Sequence, residues 1–256
     1  MSQPTTSGPE DAVRHDAEQP GRIFLANVGV NASHRLTSPL RADGAFTLVT
    51  IPEAPGLDGP QLVRYGDVKH LREVVPERYW GAATHHDPEF ESLTYGDNCA
   101  RAARAAALKG CRPGDWIVFL ARLVGEAGAV FALVGLLEVE SILRDVRARP
   151  EPGAMARYSR NAHIRRALAD ERFWDGFWVF AGTPRSRMFT RAVVVGRPEA
   201  ELLFRDRDGA AWNWRPGRSD LQTIGSYTRT CRCIIDGATA AERWCHFWQL
   251  VAPEVP

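Results

Sequence analysis

Residues 116–142, with the sequence WIVFLARLVGEAGAVFALVGLLEVESI, carry the clearest fold signal in the chain. Two runs rich in branched and aromatic residues, 116–123 and 129–142, flank the glycine-containing segment 124–128. This arrangement is typical of a β-hairpin. Gly135 lies inside the second run, where a glycine indicates a bulge or a close approach of another backbone.

Further strand-like and helix-like runs lie on both sides of this hairpin. Apolar, β-branched runs predict additional strands at residues 22–30, 176–181, 191–196 and 228–235. Longer amphipathic or alanine-rich runs predict helices at residues 98–109, 154–169 and 240–251. Because strands outnumber helices and hairpin connections dominate, the sequence predicts an α+β fold with a mixed, largely antiparallel, barrel-like sheet and flanking helices.

Length and composition describe an ordinary globular chain. A leader rich in Ser, Thr, Pro and Glu, residues 1–20, is predicted to be disordered, and residues 21–256 are predicted to form a single α+β domain. The 31 acidic and 32 basic residues nearly cancel, so no global charge draws the protein to nucleic acid or to a membrane. No apolar run reaches the roughly 18 residues of a membrane span.

Several common chemistries have no support in the sequence. The five cysteines form no Cys-x-x-Cys pair, and reduced thiols fit a cytoplasmic protein. There is no Walker loop, dinucleotide-binding glycine motif, nucleophile elbow or His-Glu-x-x-His motif. No cofactor is therefore predicted from a motif.

Residues 81–97, GAATHHDPEFESLTYGD, concentrate titratable groups in a short stretch. His85, Asp87 and Glu89 are spaced by two, so an extended backbone directs them to one face. Such a set can act as general acid and base or bind a divalent cation. It can equally form a capping loop with ion pairs to Arg101 or Arg104. No ligand spacing here is diagnostic of a metal, and no metal ligand is predicted.

Two residues at the end of this stretch have alternative roles. Asp97 is predicted to cap the helix at 98–109, which would occupy its carboxylate with backbone amides. Tyr95 is placed either to stack on a base or to close the core.

Polar residues also follow the first predicted strand. Asn31, Ser33 and His34 lie just beyond its end, where ligands bind in open sheets. They would offer donors and acceptors to a base edge or a phosphate. The other interpretation is a loop held by its own Asn and Ser turns, with a solvated histidine.

The predicted helix at 154–169 lies in the most basic region of the chain. Arg157, Asn161 and Arg165 recur every fourth residue and would share one side, whereas His163 lies elsewhere on the helix. This side would suit phosphate groups, or it is an exposed, solvated face.

Three segments together resemble the nucleotide modification associated domain 3 family: Asn27 to His34 (NVGVNASH), His85 to Asp97, and Asn161 to His163 (NAH). Members of that family occur in phages and bacteria beside genes for modified nucleic-acid bases. The resemblance spans roughly residues 22–235 and implies a setting in nucleotide or DNA modification. A weaker likeness, in Pro113 to Phe119 (PGDWIVF) and Val134 to Val139 (VGLLEV), is to the PUA and EVE barrels that bind RNA or modified bases.

The leading hypothesis is an enzyme or accessory protein that acts on a nucleotide or on a base in DNA or RNA. Asp87 or Glu89 would be the general base and His34 or His85 the acid or hydrogen-bond donor. The predicted substrate-binding residues are Asn31, Ser33, Tyr95, Asn161, His163, Arg157 and Arg165.

Expected partners are a nucleotide or a short nucleic-acid segment, and proteins of a modification pathway. The alternatives are a non-catalytic PUA- or EVE-like reader of modified bases and a scaffold for a modification complex.

Overall fold

The computed structural model of the chain describes residues 21–101, 103–206, 208–228 and 232–255. The predicted leader at residues 1–20 lies outside this part of the chain. The strands within it are, in chain order, β1 (Ile23–Val28), β2 (Ser38–Pro39), β3 (Ile51–Pro52), β4 (Val63–Arg64), β5 (Ala83–His85), β6 (Thr94–Asp97), β7 (Trp116–Gly125), β8 (Gly128–Val146), β9 (Phe177–Gly182), β10 (Arg187–Val195) and β11 (Arg232–Ile235).

The α helices in the same residues are short. They are α1 (Lys69–Arg72), α2 (Pro152–Tyr158), α3 (Ala162–Ala169), α4 (Arg197–Leu203), α5 (Asp220–Tyr227) and α6 (Ala241–Val251). Among the described residues, no helix combines the length and the apolar character needed to cross a membrane.

The predicted hairpin is the centre of the sheet. β7 and β8 pair antiparallel from Trp116 opposite Glu138 to Gly125 opposite Gly128, with a register shift after Phe119. In the described residues eight strands join this sheet, in the order β11-β1-β7-β8-β9-β6, with β10 paired to β8 and β2 to β7. Most of these pairs are antiparallel; β1 and β2 run parallel to β7. The predicted α+β class and largely antiparallel sheet are confirmed.

The sheet is not closed into a barrel, which corrects one part of the prediction. Over the residues described, β11 pairs only with β1 and β6 only with β9, so the two ends do not meet. The register of β8 against β9 shifts twice, after Val139 and after Leu143. Such irregularities bend a strand and re-aim its end. β8 thus pairs with β7 and β10 along its first half and with β9 along its second half.

Burial on both faces explains why β1 and β7 lack polar alternation. Phe24 and Phe119 pack into a cluster on one face with Tyr95 and Leu108. The neighbouring residues on the strands, such as Leu25, pack on the other face against side chains of α4, α5 and α6. Strands covered on both sides are apolar throughout.

A second, three-stranded sheet lies beside the first and supports the residues that precede the site. β5 is its central strand: Thr84 pairs with Pro52 of β3 and with Val63 of β4. Tyr65, Leu71 and other buried residues form its own small core. β5 ends at His85, and the chain leaves the sheet there.

Two helix predictions are wrong in ways that matter for the site. Asp97 does not cap a helix, because it is the last residue of β6, which pairs with β9; a 3-10 helix follows at Ala103–Gly110. The helix predicted at 154–169 is two helices, α2 and α3, with Asn161 as the cap of the second. The side-chain oxygen of Asn161 accepts the backbone amide hydrogen of His163, in place of a carbonyl of the preceding helix. The first helix therefore stops, and a new helix begins after Asn161.

Candidate functional site

A cavity of about 1220 Å³ opens beyond the carboxyl end of β1. Its lining includes Asn27 and Val28 of that strand, and Arg122 of β7. β1 and β7 run parallel with Val28 beside Ala121, so both strands end on the same side of the sheet. Ligands bind at such strand ends because loops converge there.

The turn at residues 31–34 forms one wall of the cavity. The Asn31 side-chain oxygen accepts hydrogen bonds from the backbone amide of Ser33 at 2.9 Å and from its hydroxyl at 2.7 Å. The amide of Asn31 donates to Nδ1 of His34 at 3.0 Å. His34 therefore carries its ring proton on Nε2 when neutral. All three residues line the cavity.

A cluster of buried titratable groups forms the second wall. Nε2 of His85 lies 3.2 Å from Nε2 of His163, and each of these nitrogens is 3.9 Å from Oδ2 of Asp87. The Asp87 side chain is 2% exposed. His85 and Asp87 border the cavity directly, whereas His163 adjoins them and is not among the lining residues.

Neighbouring residues hold both histidines in place. Glu53 Oε1 lies 2.8 Å from Nδ1 of His85, and Nε of Arg166 is 3.3 Å from the other oxygen of the same carboxylate. His163 is fixed by α3, whose cap Asn161 accepts its backbone amide hydrogen at 3.0 Å. The break between α2 and α3 thus brings Asn161 and His163 to the cluster.

Gly96 allows the cluster to pack closely. Its amide donates a hydrogen bond to Oδ2 of Asp87 at 2.8 Å. A Cβ atom at this position would lie 2.5 Å from Cδ2 of His163 and 2.8 Å from Oδ1 of Asn161. Only glycine leaves room for β6 to pass between these side chains.

Burial raises the pKa of Asp87 well above its ordinary value, and the nearby carboxylate of Asp97 adds to this rise, although the Gly96 amide opposes it. The pKa of Glu53 moves the other way. Burial alone would raise the pKa of Glu53, but the hydrogen bond and charge of His85 and the charge of Arg166 outweigh burial and lower it. A buried Asp87 carboxylate thus needs a positive partner, either a proton or a cation.

Glu89 lies in a separate environment. Its oxygens accept hydrogen bonds from the amides of Glu91 at 2.9 Å and Ser92 at 2.8 Å, and from the Ser92 hydroxyl. Nε of Arg160 is 3.3 Å from the same carboxylate. Glu89 is not among the residues that border the cavity.

The remaining predicted residues divide between the cavity and the framework. Tyr95 is buried, borders the cavity and donates its hydroxyl hydrogen to Asp97 at 3.0 Å. Arg157 donates hydrogen bonds to the backbone carbonyls of Ser92 and Gly182, so its guanidinium already binds groups of the protein itself. Arg165 lies near the carboxylates of residues 89 and 91 and outside the cavity lining.

A third wall of the cavity is basic, and the sequence interpretation did not include it. Arg122 comes from β7, and Arg215 and Arg218 precede α5, which adds Gln222. Across the residues that the structure describes, none of these three guanidinium groups pairs with a carboxylate. Arg122 is the single charged residue in the apolar run 116–123, which was the available signal.

A family model describing the nucleotide modification associated domain 3 matches residues 22–214. The chain belongs to the nucleotide modification associated domain 3 family. The family name indicates a role in nucleotide modification. No curated protein and no solved structure matches the chain.

The match to this family covers two of the three walls. It contains the turn at 31–34, the cluster of His85, Asp87 and His163, and Arg122. It stops before Arg215 and Arg218, so the part of the basic wall beside α5 lies outside the segment that matches the nucleotide modification associated domain 3.

Proposed function

We propose that this protein is an enzyme that modifies a nucleotide or a nucleobase, and that its substrate binds in the cavity at the end of β1. The observation that carries the proposal is a single cavity bordered by both a buried imidazole–carboxylate cluster and a basic wall. Perturbed titratable groups in a cleft are typical of active sites. Membership of the nucleotide modification family supports the substrate class.

The basic wall would bind phosphate. Arg122, Arg215 and Arg218 line one side of the cavity, and arginine binds phosphate oxygens with two parallel hydrogen bonds. The volume of about 1220 Å³ exceeds the roughly 300–1,000 Å³ of most small-molecule pockets. This volume favours a nucleotide together with its neighbour in a short nucleic-acid strand over a free base.

The turn at residues 31–34 would recognise the base or the sugar. Asn31 and Ser33 present short polar groups, and Nε2–H of His34 is a donor once Nδ1 is occupied by the Asn31 amide. His34 is also the proposed proton donor, since it borders the same cavity as the buried cluster.

The cluster of His85, Asp87 and His163 would be the reaction centre. It is the part of the lining where charge is least solvated, and electrostatic interactions with a reacting atom are strongest there. Asn161 would orient His163, and Tyr95 would close the cavity beside Gly96. The framework around the cavity would be supported by Glu89, Arg157 and Arg165, because each of them already interacts with nearby residues of the fold.

Nucleoside analysis tests the proposal. The wild-type chain and Asp87→Asn would be produced in a bacterial host, and host DNA and RNA digested to nucleosides for mass spectrometry. We expect a new or altered nucleoside with the wild type and none with Asp87→Asn. Glu126→Gln is the matched control, because Glu126 is exposed in the β7–β8 turn and is not among the residues that line the cavity.

Binding measurements separate an enzyme from a non-catalytic reader. Arg215→Ala with Arg218→Ala should weaken nucleotide binding at least 10-fold, since about 1.5–3 kcal/mol is typical for hydrogen bonds to a charged group. Tight binding of a modified nucleoside without turnover, unaffected by Asp87→Asn, would overturn the proposal of an enzyme and favour a non-catalytic reader. The open sheet lacks the closed barrel of a PUA- or EVE-like reader.

A further inference from the structure

His85, Asp87 and His163 present three ligand atoms to one point. The two Nε2 atoms and Oδ2 of Asp87 lie within 4.8 Å of one another, and the three separations between them are 3.2, 3.9 and 3.9 Å. Zinc-to-nitrogen and zinc-to-oxygen bonds are about 2.0–2.2 Å long, so two ligands of one ion are separated by at most about 4.4 Å. All three separations satisfy this limit without any movement of the backbone.

We propose that His85, Asp87 and His163 hold one divalent transition-metal ion through His85 Nε2, His163 Nε2 and Asp87 Oδ2. Three protein ligands leave at least one coordination position vacant, and His85 and Asp87 border the cavity from which a substrate or water would fill it. This pattern is typical of a catalytic metal site, whereas structural sites have four protein ligands.

The residues behind the cluster have the arrangement that metal-binding histidines require. A carboxylate, Glu53, lies 2.8 Å from Nδ1 of His85. A hydrogen bond from Nδ1–H to this carboxylate leaves the lone pair of His85 on Nε2, facing the proposed ion. Arg166 in turn holds Glu53. A carboxylate–histidine pair of this kind orients the ring and raises its basicity as a ligand.

The donor set selects the class of ion. Two imidazoles with one carboxylate suit Zn²⁺ and Fe²⁺, whereas Mg²⁺ and Ca²⁺ prefer oxygen ligands. Bound at this position, such an ion would polarise a substrate oxygen or lower the pKa of a bound water. The inference rests on the proposed function for the role of the ion, but its binding is independent of any substrate.

Metal uptake by the full chain tests the inference. Untagged protein would be treated with EDTA, dialysed, and titrated separately with Zn²⁺, Co²⁺ and, without oxygen, Fe²⁺. We expect about one ion per chain by elemental analysis and a higher melting temperature with the ion. In the wild-type protein, bound Co²⁺ should give visible absorption bands that report nitrogen and oxygen ligands.

Variants locate the site and separate it from the substrate pocket. His163→Ala should abolish uptake, and Glu53→Gln should weaken it about 10–100-fold, as for other residues behind metal ligands. His34→Ala is the matched control, because it borders the same cavity without contacting the cluster, and it should retain the ion. Circular dichroism confirms that each variant is folded.

Each outcome has a defined meaning. Less than about one tenth of an ion per wild-type chain, or equal uptake by His163→Ala, would overturn the metal site and leave a histidine pair that shares a proton. Nucleotide binding by metal-free protein would then preserve the proposed function. Stoichiometric uptake without any nucleotide binding would support the metal site and contradict the proposed function.

Discussion

Asp87 and Glu89 are two residues apart, and both are buried, but their surroundings differ in kind. Glu89 accepts two backbone amides and a hydroxyl and lies beside Arg160; burial opposes ionisation, yet these contacts lower its pKa. Asp87 accepts the Gly96 amide beside two imidazoles, and burial raises its pKa. The Glu89 carboxylate thus receives several hydrogen bonds from its own loop, whereas the Asp87 carboxylate receives fewer.

These different environments indicate that Glu89 stabilises the fold, whereas Asp87 does not. A buried carboxylate with satisfied hydrogen bonds stabilises the loop that supplies them. A buried carboxylate without enough partners reduces stability and persists where chemistry or binding requires it. We therefore expect substitution of Glu89 to lower stability while the reaction is retained, and substitution of Asp87 to abolish the reaction with little change in stability.

Glu89→Ala should produce the largest loss of stability, about 3 kcal/mol in the free energy of unfolding. It leaves two partly buried amides and a partly buried hydroxyl without their acceptor. Urea denaturation measures the change. Glu91→Ala is the control, because that side chain is 76% exposed and its ion pair with Arg160 is worth at most about 1 kcal/mol. Equal losses in the two variants would contradict the structural role of Glu89.

Gly96→Ala should cost about 2 kcal/mol and also disturb the cluster. The new Cβ overlaps Cδ2 of His163 at 2.5 Å, so the ring or β6 must move. Denaturation measures the stability change, and ion uptake measures the disturbance. Gly153→Ala is the matched control, since that glycine lies in α2 with nothing within 4 Å of the added Cβ. A fully stable Gly96→Ala with unchanged ion binding would refute the close packing.

The stabilisation by Glu89 should depend on pH. The pKa of Glu89 is lowered in the folded state, so its stabilisation is present above the unfolded pKa of about 4.3 and is lost as the pH falls through the folded pKa. The difference in unfolding free energy between the wild type and Glu89→Gln should therefore be larger at pH 7 than at pH 3. A difference that grows on acidification would contradict this environment.

Asp87→Asn should have the smallest effect on stability, within about 1 kcal/mol of the wild type and in either direction. Asparagine retains an oxygen that accepts the Gly96 amide hydrogen, and it removes a buried charge. The same denaturation series measures it. A loss as large as that of Glu89→Ala would show that Asp87 is a structural residue.

The sequence predicted the sheet better than the site because the sheet depends on local patterns. The apolar runs of the hairpin predicted β7 and β8 closely, and strand β1 lies within the predicted run 22–30. The barrel was wrong because closure depends on whether β6 and β11 meet. No local pattern encodes that contact.

Local spacing brings only neighbouring residues of the site together, and the grouping of His85 and Asp87 with the turn at 31–34 and with Asn161 and His163 was predicted from the three motifs that carry the family resemblance. The spacing by two assumed an extended backbone from His85 to Glu89, but β5 ends at His85. Asp87 still lies beside His85, whereas Glu89 accepts backbone amide hydrogens from its own turn. His163 joins them only because Asn161 begins a new helix, and Arg215 arrives from a distant segment. Such contacts depend on tertiary structure.

The most direct test measures stability and nucleoside product together in Asp87→Asn and Glu89→Gln. We expect Asp87→Asn to keep the wild-type melting temperature and to form no product. We expect Glu89→Gln to melt at a lower temperature but to form product in proportion to its folded fraction. Product formation by folded Asp87→Asn, with none from folded Glu89→Gln, would contradict the account and place the reaction centre at Glu89.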